Sequence, residues 1–450
     1  MSNTLKAGFG RINITPMMGI KLRGYFIERL ADGVLDNLEA NAVAVSDGTN
    51  TAVMIAIDTC SLCSGEVADF FRKKVGEKTG LPEQALFIHA THSHTAPGLS
   101  VDKNDDKLTV EYTEFLAEQL TKVAMNAIED LKPAKMGYGV GNAPNIAFIR
   151  RFRMKDGTVK TNPGVNNPDI VEPIGNVDER VGVLRFDRQG SESIVIANFA
   201  DHPDTIGGCK VSGDWPAFTR RFVEKAIDNT KCILFNGAEG DVNHVNVHPT
   251  AGDFNDMFND FDGCSRGYGH SRHMGRVVAG AVMQVYDKVN YIDVDDVKYL
   301  HKSYEIPSNK PDPKDLPLAH KYNDLHNAGR DDLIPFEAMM LTTVVAEAGR
   351  MVRLENAPDS FSMMFSVLKI GSVALFGIPG EPFNGVGRAI KNSDGYDLVM
   401  PCCLTNGADG YFPMMDAYVE GGYEARSSNF KAGVAEKIID AGLEMLNQVR

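Results

Sequence analysis

The chain has 450 residues, enough for a large core, and its 43% hydrophobic and 24% charged content is that of an ordinary globular protein. A net charge of −14 with no basic stripe argues against a nucleic-acid partner, and no run approaches the ~20 apolar residues of a membrane span. The opening residues lack the apolar stretch of a secretion signal, and seven cysteines without regular spacing suit a reducing compartment, so the expected location is cytoplasmic with no stable membrane association.

Taken in order, the spacing predicts a strand over 7–16 that ends in a proline turn. A hairpin of 41–46 and 51–58 follows, around Asp47-Gly48. Cys60-Ser-Leu-Cys63 has the C-x-x-C spacing but no second pair for zinc, and it reads as a strand end. Val67, Phe70, Phe71 and Val75 predict a helix over 65–79.

Leu86-Phe-Ile-His-Ala-Thr-His-Ser-His94-Thr-Ala-Pro-Gly98 opens as an apolar strand and delivers three of the chain's eleven histidines. Strand alternation puts Leu86, Ile88, Ala90, His92 and His94 on one face. An H-x-H pair where a strand feeds a loop can set two imidazoles on one metal ion, or one on the metal and one on substrate. Alone, the pair also suits an amidohydrolase barrel, but the chain lacks a regular eight-fold strand–helix alternation.

A long helix is predicted over 112–131, then strands at 135–140, 147–157, 181–186 and 193–200. Arg150 and Arg151, adjacent in a strand, point to opposite faces. The strand at 193–200 runs into Asp201-His202-Pro203, where a lone histidine suits a structural role as well as a metal. Asp214 is placed as the N-cap of the next helix, with Pro216 in its first turn. The strand at 232–236 leads to the glycine-rich turn Gly237-Ala-Glu-Gly-Asp241-Val-Asn243-His244. Its glycines let backbone amides approach a ligand, but it is neither a dinucleotide fingerprint nor a P-loop.

Residues 250–263 read as an acidic solvated insertion or a mobile lid, and a helix is predicted over 271–285. Residues 303–354, with the proline-rich run 310–317, read as a variable connector. Strands at 361–368 and 373–377 end in Pro379-Gly-Glu381, where a helix begins and its dipole favours a carboxylate. Tyr411, Tyr418 and Tyr423 lie in a glycine-rich loop, as packing groups or as an oxygen ligand and hydrogen-bond donors. The fold class expected is α/β, with mixed β-sheets flanked by helices, in one domain over 1–450.

Gly8-Phe-Gly-Arg-Ile-Asn-Ile-Thr-Pro16, Ala90-Thr-His-Ser-His-Thr-Ala-Pro-Gly98, 198–202, Gly240-Asp-Val242, Pro379-Gly-Glu381 and Tyr411 with Tyr418 and Tyr423-Glu-Ala follow one order from end to end. On these blocks the chain resembles the neutral/alkaline non-lysosomal ceramidases, zinc amidases with an α/β catalytic fold. The resemblance implies Zn2+ on His92, His202, Glu381 and Tyr411, an N/O donor set suited to zinc. It further implies His94, Arg150 (or Arg151) and Tyr423 around the substrate. Asp241, Asn243, His244 and Arg151 are the added candidates for substrate binding.

Asn243 stands where the family has a serine, which removes a serine nucleophile and leaves metal-activated hydrolysis. The family's C-terminal immunoglobulin-like domain is not expected. The implied activity is hydrolysis of an amide bond in a small soluble substrate, with ceramide disfavoured. Two alternatives are zinc chemistry on an ester, lactone or modified sugar, and a non-catalytic zinc-containing binding protein. Substrate identity, homo-oligomerisation and the role of residues 250–263 stay open.

Overall fold

The computed structural model describes residues 5–259 and 263–450. In its first part the main elements are β1 (Lys6–Asn13), β2 (Glu39–Ser46), β3 (Thr51–Ile57), α1 (Gly65–Thr79), β4 (Leu86–Ala90), α2 (Lys107–Glu129) and β5 (Lys132–Asn142). They continue with β6 (Arg180–Arg188), β7 (Ser193–Phe199), α3 (Asp214–Ala226), β8 (Thr230–Asn236) and α4 (Gly267–Tyr286). The strands form one mixed sheet in the order β8-β7-β6-β5-β1-β2-β3-β4, with a short strand, Asn290–Ile292, added beside β5. Its outermost pairs, β7 with β8 and β3 with β4, are parallel, and the interior pairs are antiparallel.

The last part adds β9 (Val297–Pro307), α5 (Leu316–Asn327), α6 (Ala338–Leu354), β10 (Ser360–Ile370), β11 (Val373–Gly377), α7 (Asn384–Lys391), β12 (Leu398–Cys402) and α8 (Val434–Val449). A second sheet runs β9-β10-β11-β12, with β11 and β12 parallel.

Period-two alternation explains how these elements stack. On β3, Val53, Ile55 and Ile57 face the core under α1 and α2, whereas Met54 and Ala56 face a core shared with the second sheet. On β8, Cys232 and Leu234 face α3 and α4, and Ile233 and Phe235 face that same inter-sheet core. The far side of the second sheet is covered by α7 and α8 through Val386, Ile390, Ile438 and Met445. The result is two mixed sheets packed face to face with helices on both outer sides. The expected α/β class is what forms.

Local capping signals account for the starts of the first two helices. Ser64 caps α1 by accepting from the Val67 amide, and Gly80 closes it with φ +72°. Asp106 does the same for α2 through Thr109. Asp214 differs from the expectation: Gly213 is the N-cap, and Asp214 is the first helical residue, at φ +52°. Its carboxylate accepts from the amides of Thr205 and Ile206 at 3.1 and 3.0 Å, which ties the helix start to the loop after His202.

The predicted connector also differs. Residues 303–354 hold the end of β9 and the α5–α6 pair, closed on a small cluster of Ile334, Val344 and Val345. The prolines of the run 310–317 lie before α5 and at that helix's first turn, where a missing N–H costs nothing. In the acidic segment, 251–254 form a 3-10 turn and 255–259 a short helix. The remainder of the expected lid, 260–262, lies outside the described residues.

Candidate metal centre

Three parallel strand pairs, β3–β4, β7–β8 and β11–β12, are each joined through a helix (α1, α3 and α7), and all send their carboxyl ends to one place. The first unit supplies His92 and His94, and the second supplies His202 and Glu239. The third supplies Glu381 before its helix and Tyr411 after its last strand. Carboxyl ends of parallel strands are the usual ligand end of α/β units, because the loops there are free to carry chemistry.

The histidine strand is shorter than predicted. It stops at Ala90, and His92 takes φ +80°, so the one-face alternation fails beyond residue 90. The chain instead turns, with Thr91 N bonded to Ile57 O and His92 N to Thr59 O, both at 2.9 Å. This turn brings His92 onto the same point as His202. Their Nε2 atoms are 3.2 Å apart, and Glu381 Oε2 lies 3.6 Å from the first and 3.4 Å from the second.

Backbone carbonyls orient both rings. His92 Nδ1 donates to Cys60 O at 2.5 Å and His202 Nδ1 to Glu239 O at 3.1 Å. With the proton on Nδ1, each Nε2 presents a lone pair, so the two cannot hydrogen-bond to each other. Glu381 Oε2 is buried and has no hydrogen-bond partner. Three acceptors facing one another repel, and a positive charge resolves the arrangement, either a metal ion or a proton taken up by His92, which Glu381 favours. A tetrahedral zinc with bonds of ~2.0–2.1 Å sets its ligand atoms ~3.3–3.4 Å apart. The observed triangle has that size, so the residues fit the ion.

Tyr411 is placed beside Glu381 by a short parallel pairing, Glu381–Pro382 with Tyr411–Phe412, and its ring stacks on that of His202 at 6.4 Å. Gly240 packs its backbone on this pairing: Gly240 N donates to Pro382 O at 2.9 Å, and a Cβ there would lie 2.5 Å from Glu381 O. That is why a glycine precedes Asp241-Val242.

Burial works against charge throughout the cluster. It pushes the phenols of Tyr411 and Tyr423 up and, with Arg150 nearby, lowers His202 to about 4. Burial opposes ionisation of both Glu381 and His92, but their mutual attraction outweighs it, raising His92 well above its usual value and holding the carboxyl well below its ordinary range. His94 is lowered well below its usual value by burial and then by His92 and His202, so it stays neutral.

His94 Nε2 stands 3.3 Å from His92 Nε2, and its Nδ1 is 3.5 Å from Asp204 Oδ1. Residues 24–29 hold it there. The Tyr25 ring meets it edge-on at 5.6 Å, the Tyr25 hydroxyl donates to Asp204, and Arg29 Nη2 donates to His94 O at 2.7 Å. A Cβ on Gly24 (φ +111°) would meet the His94 ring at 2.6 Å.

The two arginines do diverge. Arg150 turns to the centre: Nε donates to Glu424 Oε1 and Nη2 to Gly240 O, each at 2.7 Å, and its guanidinium lies 5.4 Å over the Tyr411 ring. Arg151 turns away to Glu420 Oε2 and Gly421 O, both at 3.1 Å, and over the Phe383 ring.

A cavity of about 420 Å³ opens on the centre, walled by Arg23, Tyr25, Phe26, Cys60, His94, Glu381, Tyr411 and Tyr423, among others. Arg151, Asp241, Asn243 and His244 do not line it. Asp241 Oδ1 accepts from the Asn384 amide at 2.6 Å at the start of α7. Asn243 pairs with Asn162 at 3.0 Å, and His244 is fully buried with its ring 6.3 Å from that of His270.

Sequence reasoning passed over Arg23, Asp204, Glu239 and Glu424, and it read Cys60 only as part of a C-x-x-C spacing at a strand end. Glu424 beside Tyr423, Asp204 just after His202 and Glu239 within the glycine-rich turn all adjoin motifs already singled out.

No protein-family model matches this chain, and no curated protein matches it in sequence. Among solved structures it is similar to the neutral ceramidase from Pseudomonas aeruginosa, with a TM-score of 0.73 at 16% identity, over 100% of this chain and 75% of that one. A ceramidase complexed with C2 is similar to the same degree, with a TM-score of 0.73 at 16% identity, over 100% of this chain and 76% of that one. At such identity the likeness is one of fold.

Proposed function

We propose that this chain, with the fold of neutral ceramidase, is a zinc-dependent hydrolase that cleaves the C–N bond of an amide in a small soluble substrate. The observation that carries the reading is the facing pair of Nε2 atoms on His92 and His202 with an unpartnered Glu381 oxygen beside them. His92, His202, Glu381 and Tyr411 would hold the ion. Bound there, zinc supplies a Lewis acid that polarises a carbonyl and brings the pKa of a water toward ~7.

The chain's own groups do the rest. His94, neutral and on the cavity wall, takes a proton through Nε2 and returns it to the departing amine, with Asp204 beside Nδ1 to steady the imidazolium. Tyr423, on the opposite wall with its phenol kept protonated by burial, donates to the substrate oxygen as charge develops. Arg150 is held rigidly by Glu424 and Gly240 and adds a fixed positive charge behind Tyr411. Arg151, Asp241, Asn243 and His244 act one layer out, fixing the loops that carry Arg150 and Glu239.

A small polar substrate suits the cavity. Its volume is near the low end for ligand sites. Arg23 faces it and makes no ion pair among the described residues, which favours an acylated amine bearing an acidic group.

The test is metal content together with a panel of N-acyl amino acids, lactams, esters and a short-chain ceramide. Zinc at about one per chain with amide turnover is expected. Zinc with only ester or sugar turnover would keep the centre and move the reaction to another bond. Turnover by metal-free protein would overturn the reading.

A further inference from the structure

Glu239 follows β8 by three residues and is 0% exposed. Neither carboxylate oxygen has a hydrogen-bond partner, and the side chain is in no ion pair among the described residues. Burial pushes this carboxyl up, toward the neutral acid, and a neutral acid there has only the Cys403 thiol to meet its proton. The Cys403 thiol faces it, but a thiol is a weak donor and does not replace a counter-charge. Leaving a carboxylate in such a place costs several kcal/mol.

A cation is what the surroundings supply. One Glu239 oxygen, His92, His202 and Glu381 offer ligand atoms that all lie within 4.8 Å of one another. The Glu239 backbone is pinned, because its carbonyl accepts from both His202 Nδ1 and the Val242 amide, at 3.1 and 2.9 Å. The residue therefore orients His202 with its main chain and aims its side chain at the same centre.

We propose that Glu239 is itself a ligand of the metal ion held by His92, His202 and Glu381. This rests on the metal reading of the site. The centre then carries two carboxylates, which neutralise a divalent cation without any contribution from a phenolate. Tyr411 then completes the set as a neutral phenol, with the Arg150 guanidinium 5.4 Å over its ring. Oxygen-rich donor sets also tolerate harder ions such as Mn2+ better than imidazole and thiolate sets do.

The experiment uses the full chain, stripped of metal and reloaded. Zinc affinity is measured by competition with a chromogenic chelator for wild type and Glu239→Gln, and thermal midpoints are recorded with and without zinc. Glu239→Gln is expected to weaken zinc at least about tenfold. Without metal it should melt close to the metal-free wild type near neutral pH, since burial pushes the Glu239 carboxyl up to about 8 and an amide of the same shape replaces a largely protonated acid.

Wild-type affinity in Glu239→Gln overturns the proposal while leaving the metal reading intact. A lower metal-free midpoint, or failure to fold, also overturns it, because the carboxylate would then serve the fold. If the wild type binds no divalent ion, the metal reading falls first and this one with it. Glu239→Asp, which keeps the charge on a shorter arm, should retain part of the affinity; binding no tighter than Glu239→Gln overturns the ligand role.

Discussion

Single side chains divide the centre into groups that hold the ion and groups that handle protons, and substitution separates them. His92→Ala and Glu381→Ala are expected to lose zinc and activity together, read by metal analysis of the purified variants. His94→Ala should keep its zinc and lose kcat by roughly 10²–10⁴-fold, the usual worth of a positioned acid–base group. Full activity in that variant would remove His94 from the proton path.

Another residue-scale prediction concerns His89. Its Nδ1 donates to Cys403 O at 2.7 Å and its Nε2 accepts from the Asn236 amide at 2.9 Å, so the neutral ring bridges the two edge strands of the large sheet. Burial lowers its pKa from 6.5 to about 3. The unfolded chain therefore binds more protons than the folded one between those values, and stability falls as pH drops through that window. The contribution is about 1.4 kcal/mol per pH unit. Urea midpoints between about pH 4 and 6.5 should fall less steeply for His89→Gln than for wild type, and an unchanged slope would show that His89 is not the group responsible.

At the scale of elements, α3 is locked beneath the site by one buried pair. Arg220 on α3 grips Asp58 at the end of β3 with both oxygens, at 2.9 and 2.6 Å, and Asp58 also accepts from Thr91 Oγ1 at 3.3 Å. The pair thus ties α3 to the turn that carries His92. Removing one partner of a buried pair strands the other, so Arg220→Met should cost about 3–5 kcal/mol of unfolding free energy in urea titrations. A loss below about 1 kcal/mol would mean that Asp58 finds water or another partner. Elements of this kind were readable one at a time. The helix at 65–79 is where Val67, Phe71 and Val75 put it, and the Asp47-Gly48 hairpin pairs Ser46 with Thr51 as its turn demands. The α5–α6 pair was not readable, because its packing cluster is small and its prolines resemble those of a linker.

Over the whole molecule, the proposed ligands come from the loops of both sheets, so an ion held by them would add a bridge between layers already joined by apolar packing and by hydrogen bonds such as Asn198 Nδ2 to Pro401 O. A ligand bound to the folded state alone stabilises by RT ln(1 + [L]/Kd), about 2.7 kcal/mol at a hundredfold excess over Kd. Stripping zinc with a chelator should therefore lower the thermal midpoint, and restoring the ion should recover it. A midpoint indifferent to zinc would argue against a metal in this position.

By itself the sequence determined most strands and helices and the α/β class, because periodicity and turn chemistry are local, while His92, His202, Glu381 and Tyr411 were named as a set by the family resemblance of its ordered blocks. Only the tertiary structure decided which of Arg150 and Arg151 meets the centre, that His92 leaves its strand at φ +80°, and that Glu239 lies beside His92, His202 and Glu381. Those outcomes depend on three β-α-β units meeting across two sheets. Residues 92, 202, 239 and 381 are far apart in sequence, and no local pattern encodes the distance between their side chains.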